Sequence, residues 1–276
     1  MYDAEWRAIF IIIEALFFFV SFLASVVGAI CGIGGGTIIK PALDMLEFAR
    51  VSTISFLSGC TVLSMSCYSV VRNLVSGDNQ LELKTSTPLA ISAAMGGMVG
   101  NQLFTLVRGL FENQNTVGAV QAGCLAVITL ATFVYTICKA RIRTRHIDSV
   151  ALCLVIGFFL GILSSFLGIG GGPINLVVLS YFFSMNTKAV AQNSLYVILF
   201  SQISSLGTTL VTHSIPEFEP LILILMVAGG IGGGIVGRIF YRRMDNKTVD
   251  KLFLALMVII IAISIYNTWS FRKRQI

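Results

Sequence analysis

Two stretches of identical sequence, Gly32-Ile33-Gly34-Gly35-Gly36 and Gly168-Ile169-Gly170-Gly171-Gly172, each lie inside an apolar run. Glycine costs about 1 kcal/mol relative to alanine inside a helix and readily takes positive φ. Four glycines in five residues therefore mark a place where one helix stops and another starts. A helix that starts at such a break turns its free N–H groups and the positive end of its dipole toward whatever lies there, which is the outline of an anion site. Pro173, directly after the second cluster, suits the first turn of a new helix. Asn175 sits in that same turn. Lys40, four residues after Gly36 and directly before Pro41, is the sharpest charged candidate. It binds an anion, pairs with Asp44 at i,i+4, or snorkels to the interface. Neither cluster is a dinucleotide or Walker loop, since the last glycine of GxGxxG is missing, no GK[ST] follows and no strand precedes.

Polar side chains inside apolar segments extend this chemistry. Helical spacing puts Ser58, Thr61, Met65, Tyr68 and Arg72 on one face, and Ser194, Ser201, Ser205 and Thr208 on another, with Gln192, Asn193 and Gln202 nearby. Such faces turn toward other helices or a water-filled path rather than lipid. Hydroxyls and amides bind an oxyanion without adding full charge; serine and threonine also satisfy themselves on the preceding turn of their own helix. Glu14 and Asp44 are acids close to apolar segments and are the candidates for coupling to protons or another ion.

The elements that must position these residues follow from composition. The chain has 276 residues, 56% of them apolar and 12% charged, with a mean hydropathy of +0.88. Such a composition belongs in a bilayer. A spanning helix needs roughly 20 apolar residues, and ten apolar segments are readable, several of them short: about 9–29, 33–48, 52–75, 86–107, 116–138, 150–166, 169–185, 189–212, 218–240 and 249–270. The expected class is all-α, a polytopic integral protein of the cell membrane. The first segment is read as a span rather than a signal peptide, because Asp3 and Glu5 precede it and the run is long. The six cysteines lie in or beside apolar segments and read as small buried residues, not a disulfide framework. A net charge of +6 reads as topology rather than as nucleic-acid binding, because the basic residues cluster at segment ends. Lys139, Arg141, Arg143 and Arg145 mark one cytoplasmic loop, Arg242, Arg243, Lys247 and Lys251 a second, and the 212–220 loop with Glu217 and Glu219 the outer face. The tail Arg272, Lys273, Arg274 breaks this rule if all ten segments span, which predicts that one segment is re-entrant.

The glycine clusters lie 136 residues apart, and Ser58 and Ser194 keep the same offset. Met98-Val99-Gly100 matches Ile235-Val236-Gly237, and Asn115-Thr116-Val117 matches Lys247-Thr248-Val249. These ordered matches predict a first repeat over 1–138, a basic cytoplasmic linker over 139–148 and a second repeat over 149–276. Five segments per repeat, an odd number, would insert the halves with opposite orientation, a plan that recurs in secondary transporters with the substrate at the repeat interface. From Ser149 to Thr187 the chain carries no charge for 39 residues, about 58 Å as one helix against a hydrocarbon core of about 30 Å. The run must break, and Gly168–Gly172 is where breaking costs least. Close packing is the competing reading, because Gly28, Gly32 and Gly36, Gly157 and Gly161, Gly168 and Gly172, and Gly233 and Gly237 are spaced four apart. Packing is the reading preferred for "GGIGGG" at 229–234; a break is preferred at the two clusters.

Together, "GAICGIGGGTIIKPAL", "GILSSFLGIGGGPINLVVL" and "NTKAVAQNSL" resemble the TauE/SafE sulfite-exporter (TSUP) family of membrane transporters over nearly the whole chain. The family's G-x-GGG with a proline five residues on is matched by Gly32, Gly34, Gly35, Gly36 and Pro41, and its Lys-Ala followed by serine by Lys188, Ala189 and Ser194. The first half keeps Ser58 without the Lys-Ala pair, and Lys40 stands where an apolar residue is usual. The resemblance implies transport of small, often sulfur-containing anions: sulfite, sulfoacetate or another organosulfonate, or thiosulfate.

The reading is a secondary transporter of a small anion by alternating access, with no cofactor, metal or nucleic acid. The substrate is assigned to Gly32, Gly34, Gly35, Gly36, Lys40, Ser58, Thr61, Gly168, Gly170, Gly171, Gly172, Asn175, Gln192, Asn193 and Ser194, and coupling to Asp44 and Glu14. A passive anion channel and a non-catalytic membrane subunit are the alternatives. An intramembrane enzyme lacks support, because His146 and His213 lie in loops away from any nucleophile or metal-ligand cluster.

Overall fold

The computed structural model describes residues 2–46, 48–76, 80–110, 114–147, 149–169 and 171–273. Its regular structure is helical: α1 (Tyr2–Cys31), α2 (Gly36–Leu46), α3 (Val51–Val75), α4 (Leu83–Leu110), α5 (Gln114–Cys138), α6 (Val150–Leu167), α7 (Pro173–Phe183), α8 (Thr187–Val211), α9 (Pro220–Arg243) and α10 (Asn246–Lys273), with a 3-10 turn over Lys139–Arg141. Eight of these are long and apolar enough to cross a bilayer. Ile12, Phe19, Val127, Phe159 and Ile265 stand exposed on the outside of the bundle, as expected where lipid rather than water is the solvent.

α2 and α7 have 11 residues each, about 16 Å of helix, half of what a span requires. Two segments, not one, therefore return without crossing. α6 and α7 form a hairpin whose open ends share one end of the bundle, because the Arg145 and Ile147 N–H groups donate to the carbonyls of Tyr181 (2.7 Å) and Phe182 (3.0 Å). The α1–α2 hairpin opens at the other end, where Ile13, Glu14, Phe48 and Ala49 line one chamber with Glu217 and Phe218. Each hairpin returns to the end it left, so the sidedness of the charged loops is unchanged. Lys139 and Asp250 (2.6 Å) meet at the first end, and the Thr53 hydroxyl donates to the Glu217 carbonyl (3.0 Å) at the second.

Ends are set by residues suited to them. The Asn186 side chain accepts the Ala189 N–H (3.0 Å) to cap α8, and Pro173 and Pro220 open α7 and α9. Asp245 caps α10 by accepting from the Thr248 hydroxyl and N–H, bonds that hold its carboxyl below the ordinary range.

The long helices approach through glycine. A methyl group on Gly96 or Gly100 of α4 would lie 2.0 Å from the Phe158 carbonyl oxygen or 2.4 Å from that of Ile162, both on α6. On α9, Gly233 and Gly237 meet the carbonyls of Phe22 and Val26 of α1 at 2.3 and 2.5 Å in the same sense. Backbones this close gain dispersion contact that no larger side chain permits. The 229–234 glycines are thus packing residues inside an unbroken helix.

Candidate functional site

Both clusters interrupt the chain. Gly32 (φ 75°) ends α1 and Gly168 (φ 65°) ends α6, each in the left-handed region that other residues enter at a cost. Each tip leans on a helix of the other half. A methyl on Gly32 would lie 2.2 Å from the Ala191 Cα of α8, and one on Gly168 would lie 2.9 Å from the Ser55 hydroxyl oxygen of α3. The two breaks also meet one another: the Ile169 carbonyl oxygen lies 2.3 Å from where a Gly36 side chain would begin, and Thr37 Cγ2 lies 3.2 Å from the equivalent position on Gly172. The first turns of α2 and α7 start beside this crossing, and the Thr37 hydroxyl donates to the Gly34 carbonyl (3.1 Å) to steady the first loop.

Polar groups surround the crossing. Ser58 and Ser194 are completely buried, and both hydroxyl oxygens lack a hydrogen-bond partner. Ser58 lies on α3 between Ser55, which touches Gly168, and Val62, which touches Gly36; Ser194 lies on α8 between Ala191, which touches Gly32, and Ile198, which touches Gly171. Asn175 is buried with its carbonyl oxygen unpartnered, and its amide nitrogen faces Gly171. An unmatched buried polar group costs about 1–3 kcal/mol, so these are places where a ligand or water gains most.

Other candidates are engaged elsewhere. The Thr61 hydroxyl donates to the Leu57 carbonyl (2.9 Å) of its own helix. Gln192 accepts the Gln80 N–H (3.0 Å) and donates to the Tyr241 hydroxyl (3.1 Å). Asn193 accepts the Glu82 N–H (2.9 Å) and donates to the carbonyls of Ala189 (2.7 Å) and Gln80 (3.0 Å). These two amides pin the segment before α4 onto α8. Lys40 is 3% exposed and places Nζ 3.0 Å from Asp44 Oδ2, so pairing describes it better than snorkelling. Its Cε nevertheless lies 3.4 Å from the methyl position on Gly168. Glu14 lies apart, half-buried in a chamber of about 530 Å³ with Arg50, Arg108, Glu217 and Glu219 at the second end. Gly170 lies outside the described residues, and no group of three metal-ligating side chains occurs among those described.

The structure also brings together residues that the sequence singles out, Gln202 and Ser205, with others that it does not, Ser52, Ser55, Asn101, Arg108, Ser165 and Thr209. A cleft of about 90 Å³ runs beside Gly168, lined by Ser52, Ser55, Asn101, Arg108, Ser165, Gln202, Ser205 and Thr209. The α8 face that lines it carries 202, 205 and 209, shifted from the 201, 205, 208 face by which helical spacing grouped the hydroxyls. Arg108 also lines the larger chamber. At the first end a much smaller cavity of about 10 Å³ is lined by Ser69, Asn73, Ala191, Gln192, Arg238 and Tyr241. There the Arg238 guanidinium donates to the Asn73 side-chain carbonyl, the Ser76 hydroxyl and the Arg72 carbonyl (3.0 Å).

Broken helices crossing inside an apolar bundle define a polytopic membrane protein whose irregular backbone is buried in protein and lines polar space. The chain belongs to the Sulfite exporter TauE/SafE family, whose model matches residues 17–265. It is 24% identical over 262 residues to a Bacillus subtilis (strain 168) protein described as "Probable membrane transporter protein YunE", covering 86% of this chain and 92% of that one. No solved structure matches it. At the level of the family, the protein is a multi-pass membrane transporter.

Proposed function

We propose that the protein is a secondary transporter of small sulfur-containing anions in the cell membrane, sulfite, an organosulfonate such as sulfoacetate, or thiosulfate, carried by alternating access past the two glycine breaks. The observation that carries this reading is the crossing at Gly36 and Ile169, flanked by the unpartnered hydroxyls of Ser58 and Ser194 and by the Asn175 side-chain amide nitrogen that faces Gly171. Donors held in place replace the hydration shell of an oxyanion, and the starts of α2 and α7 add positive potential. No full positive charge need sit at the crossing, so the anion can leave as well as enter. Lys40, neutralised by Asp44, contributes a dipole there; Asp44 and Glu14 remain the candidates for ion coupling. The sulfur chemistry rests on the family.

The halves 1–138 and 149–276, joined by the linker 139–148, act as inverted repeats in this reading. Its support is the pairing of contacts: Gly32 with Ala191 answers Gly168 with Ser55, and Gly96 with Phe158 answers Gly233 with Phe22. The hairpins opening at opposite ends follow the same relation. A carrier is favoured over a channel because the polar space is wide at one end and nearly closed at the other.

The test is flux of sulfite, sulfoacetate, thiosulfate, sulfate and small carboxylates in proteoliposomes, with and without a pH gradient. Saturable uptake stimulated by anion on the opposite side is expected. Non-saturating flux without counterflow would establish a channel, and no flux for any anion would remove the transport reading.

A further inference from the structure

Resting on the transporter reading, we infer that the cleft beside Gly168 is a binding station for a small oxyanion, with Gln202 and Ser165 as its donors and Arg108 as the residue that selects for negative charge. Three observations converge. Ser165 is buried with its hydroxyl unpartnered, Ser55 likewise offers an unmatched hydroxyl oxygen, and Gln202 is 4% exposed while lining the same space. These groups belong to three different helices, α6, α3 and α8, so they converge on a volume rather than serve one helix's backbone.

The second observation is charge and size. Among the described residues that line the cleft, Arg108 is the charged one, and no carboxylate accompanies it. The cleft, about 90 Å³, has room for an oxyanion of about four or five heavy atoms. The larger chamber on the far side of Arg108 mixes Glu14, Glu217 and Glu219 with Arg50. An anion gains net attraction only on passing Arg108 into the cleft.

The third is the counterpart at the other end. Ser165, Ser205 and Thr209 in this cleft correspond, 136 positions earlier, to Ala29, Ser69 and Asn73, and Asn101 and Phe104 correspond, 137 positions later, to Arg238 and Tyr241. In that counterpart the guanidinium of Arg238 is drawn into the protein's own acceptors. Asn101, in the equivalent place here, spans only to Thr209 (3.1 Å) and the Ser205 carbonyl (3.3 Å), and the space stays open. The same construction is thus collapsed on the protein at one end and open at the other.

The experiment is calorimetric binding of sulfite, sulfate and methanesulfonate to the purified full-length protein. Gln202→Leu should weaken the anion that binds best by about tenfold or more, and Arg108→Gln by several-fold with a flatter salt dependence, while Arg108→Lys restores most of it. If wild type binds and both variants bind within about twofold of it, the cleft is not the station and transport must be explained at the crossing alone. If wild type binds none of the three ions, the inference is overturned, and the transporter reading then stands or falls separately on the flux panel that includes sulfoacetate and thiosulfate. Should Gln202→Leu not fold, Ser205→Cys in a background without the exposed cysteines decides the matter: methanesulfonate must slow its modification by a charged thiol reagent, and an unchanged rate overturns the inference.

Discussion

The carbonyl oxygen of Ile169 occupies the space a side chain on Gly36 would need, 2.3 Å from its Cβ position, so the two helix breaks are locked together across the halves of the molecule. Gly35, one residue earlier, meets Ser25 Oγ at 3.0 Å and Ile39 Cδ1 and the Ser25 Cα at 3.3 Å, a tight but less severe approach. Gly36→Ala should therefore part the breaks, costing about 1–3 kcal/mol and most of the anion flux, whereas Gly35→Ala, whose neighbours need to give by only a few tenths of an ångström, should destabilise less and keep more of the flux. Proteoliposome flux with thermal unfolding in detergent checks the pair; equal behaviour of the two variants would show that the crossing does not matter.

The buried pair Lys40–Asp44 yields a prediction that separates structure from binding. Lys40→Gln removes the ammonium 3.0 Å from the Asp44 carboxylate, and breaking a buried pair from one side costs about 3–5 kcal/mol. Replacing both, as Lys40→Met with Asp44→Leu, should recover most of that stability. If the lysine is a structural partner, the double variant also keeps its anion affinity; a double variant that is stable yet no longer binds assigns Lys40 to the anion, and one that binds but loses its response to a pH gradient assigns Asp44 to coupling.

How much of this was legible in the sequence depends on whether the partner is near in the chain. The breaks were, because 39 uncharged residues cannot form one span and because the cluster repeats at a fixed offset. Lys40 lay between three readings that spacing could not separate; its buried pairing with Asp44 disfavours snorkelling and leaves the anion role to the double variant. Gln192 and Asn193 read as inward-facing polar groups, yet their partners Gln80 and Glu82 lie more than 100 positions away, so an anchoring role had no local signature. The inward turn of the α8 face was readable, and Ser194 and Ser201 are buried, but the polar residues at 201, 202, 205, 208 and 209 cover about a third of the helix circumference, so spacing alone does not say that 202, 205 and 209 line the cleft. Arg108, at the end of α4, looked like any basic residue closing a span. The short α2 and α7 were readable as segments, but that both return to the end they left follows from contacts such as Arg145 with Tyr181.

Glycines elsewhere divide by what surrounds them. Gly207 on α8 has nothing within 4 Å of its Cβ position, while Gly233 on α9 has the Phe22 carbonyl at 2.3 Å. Gly207→Ala should raise stability by about 0.4–1 kcal/mol through the unfolded chain and better helix propensity. Gly233→Ala should push α1 and α9 apart and lower it by about 1–3 kcal/mol. Opposite signs in thermal unfolding are required; a neutral Gly233→Ala would mean the α1–α9 contact is loose.

Arg238 closes the cavity at the first end, and its removal is the direct test of alternating access. Its bonds to Asn73, Ser76 and the Arg72 carbonyl tie the end of α3 to α9, and charge-assisted bonds contribute about 1.5–3 kcal/mol each. About 1.4 kcal/mol, less than one such contribution, shifts a two-state equilibrium tenfold. Arg238→Ala should therefore open the cavity that contains the buried Ser69. A cysteine at Ser69 should then react with a membrane-impermeant thiol reagent from the first end at least several-fold faster than it does with Arg238 present. The same variant should reduce accessibility in the cleft beside Gly168, read at a cysteine in place of Ser205, because a carrier cannot hold both ends open. Faster reaction at Ser69 with no loss at Ser205 would mean that the ends open independently, as in a channel; no change at either position would remove Arg238 as the closure.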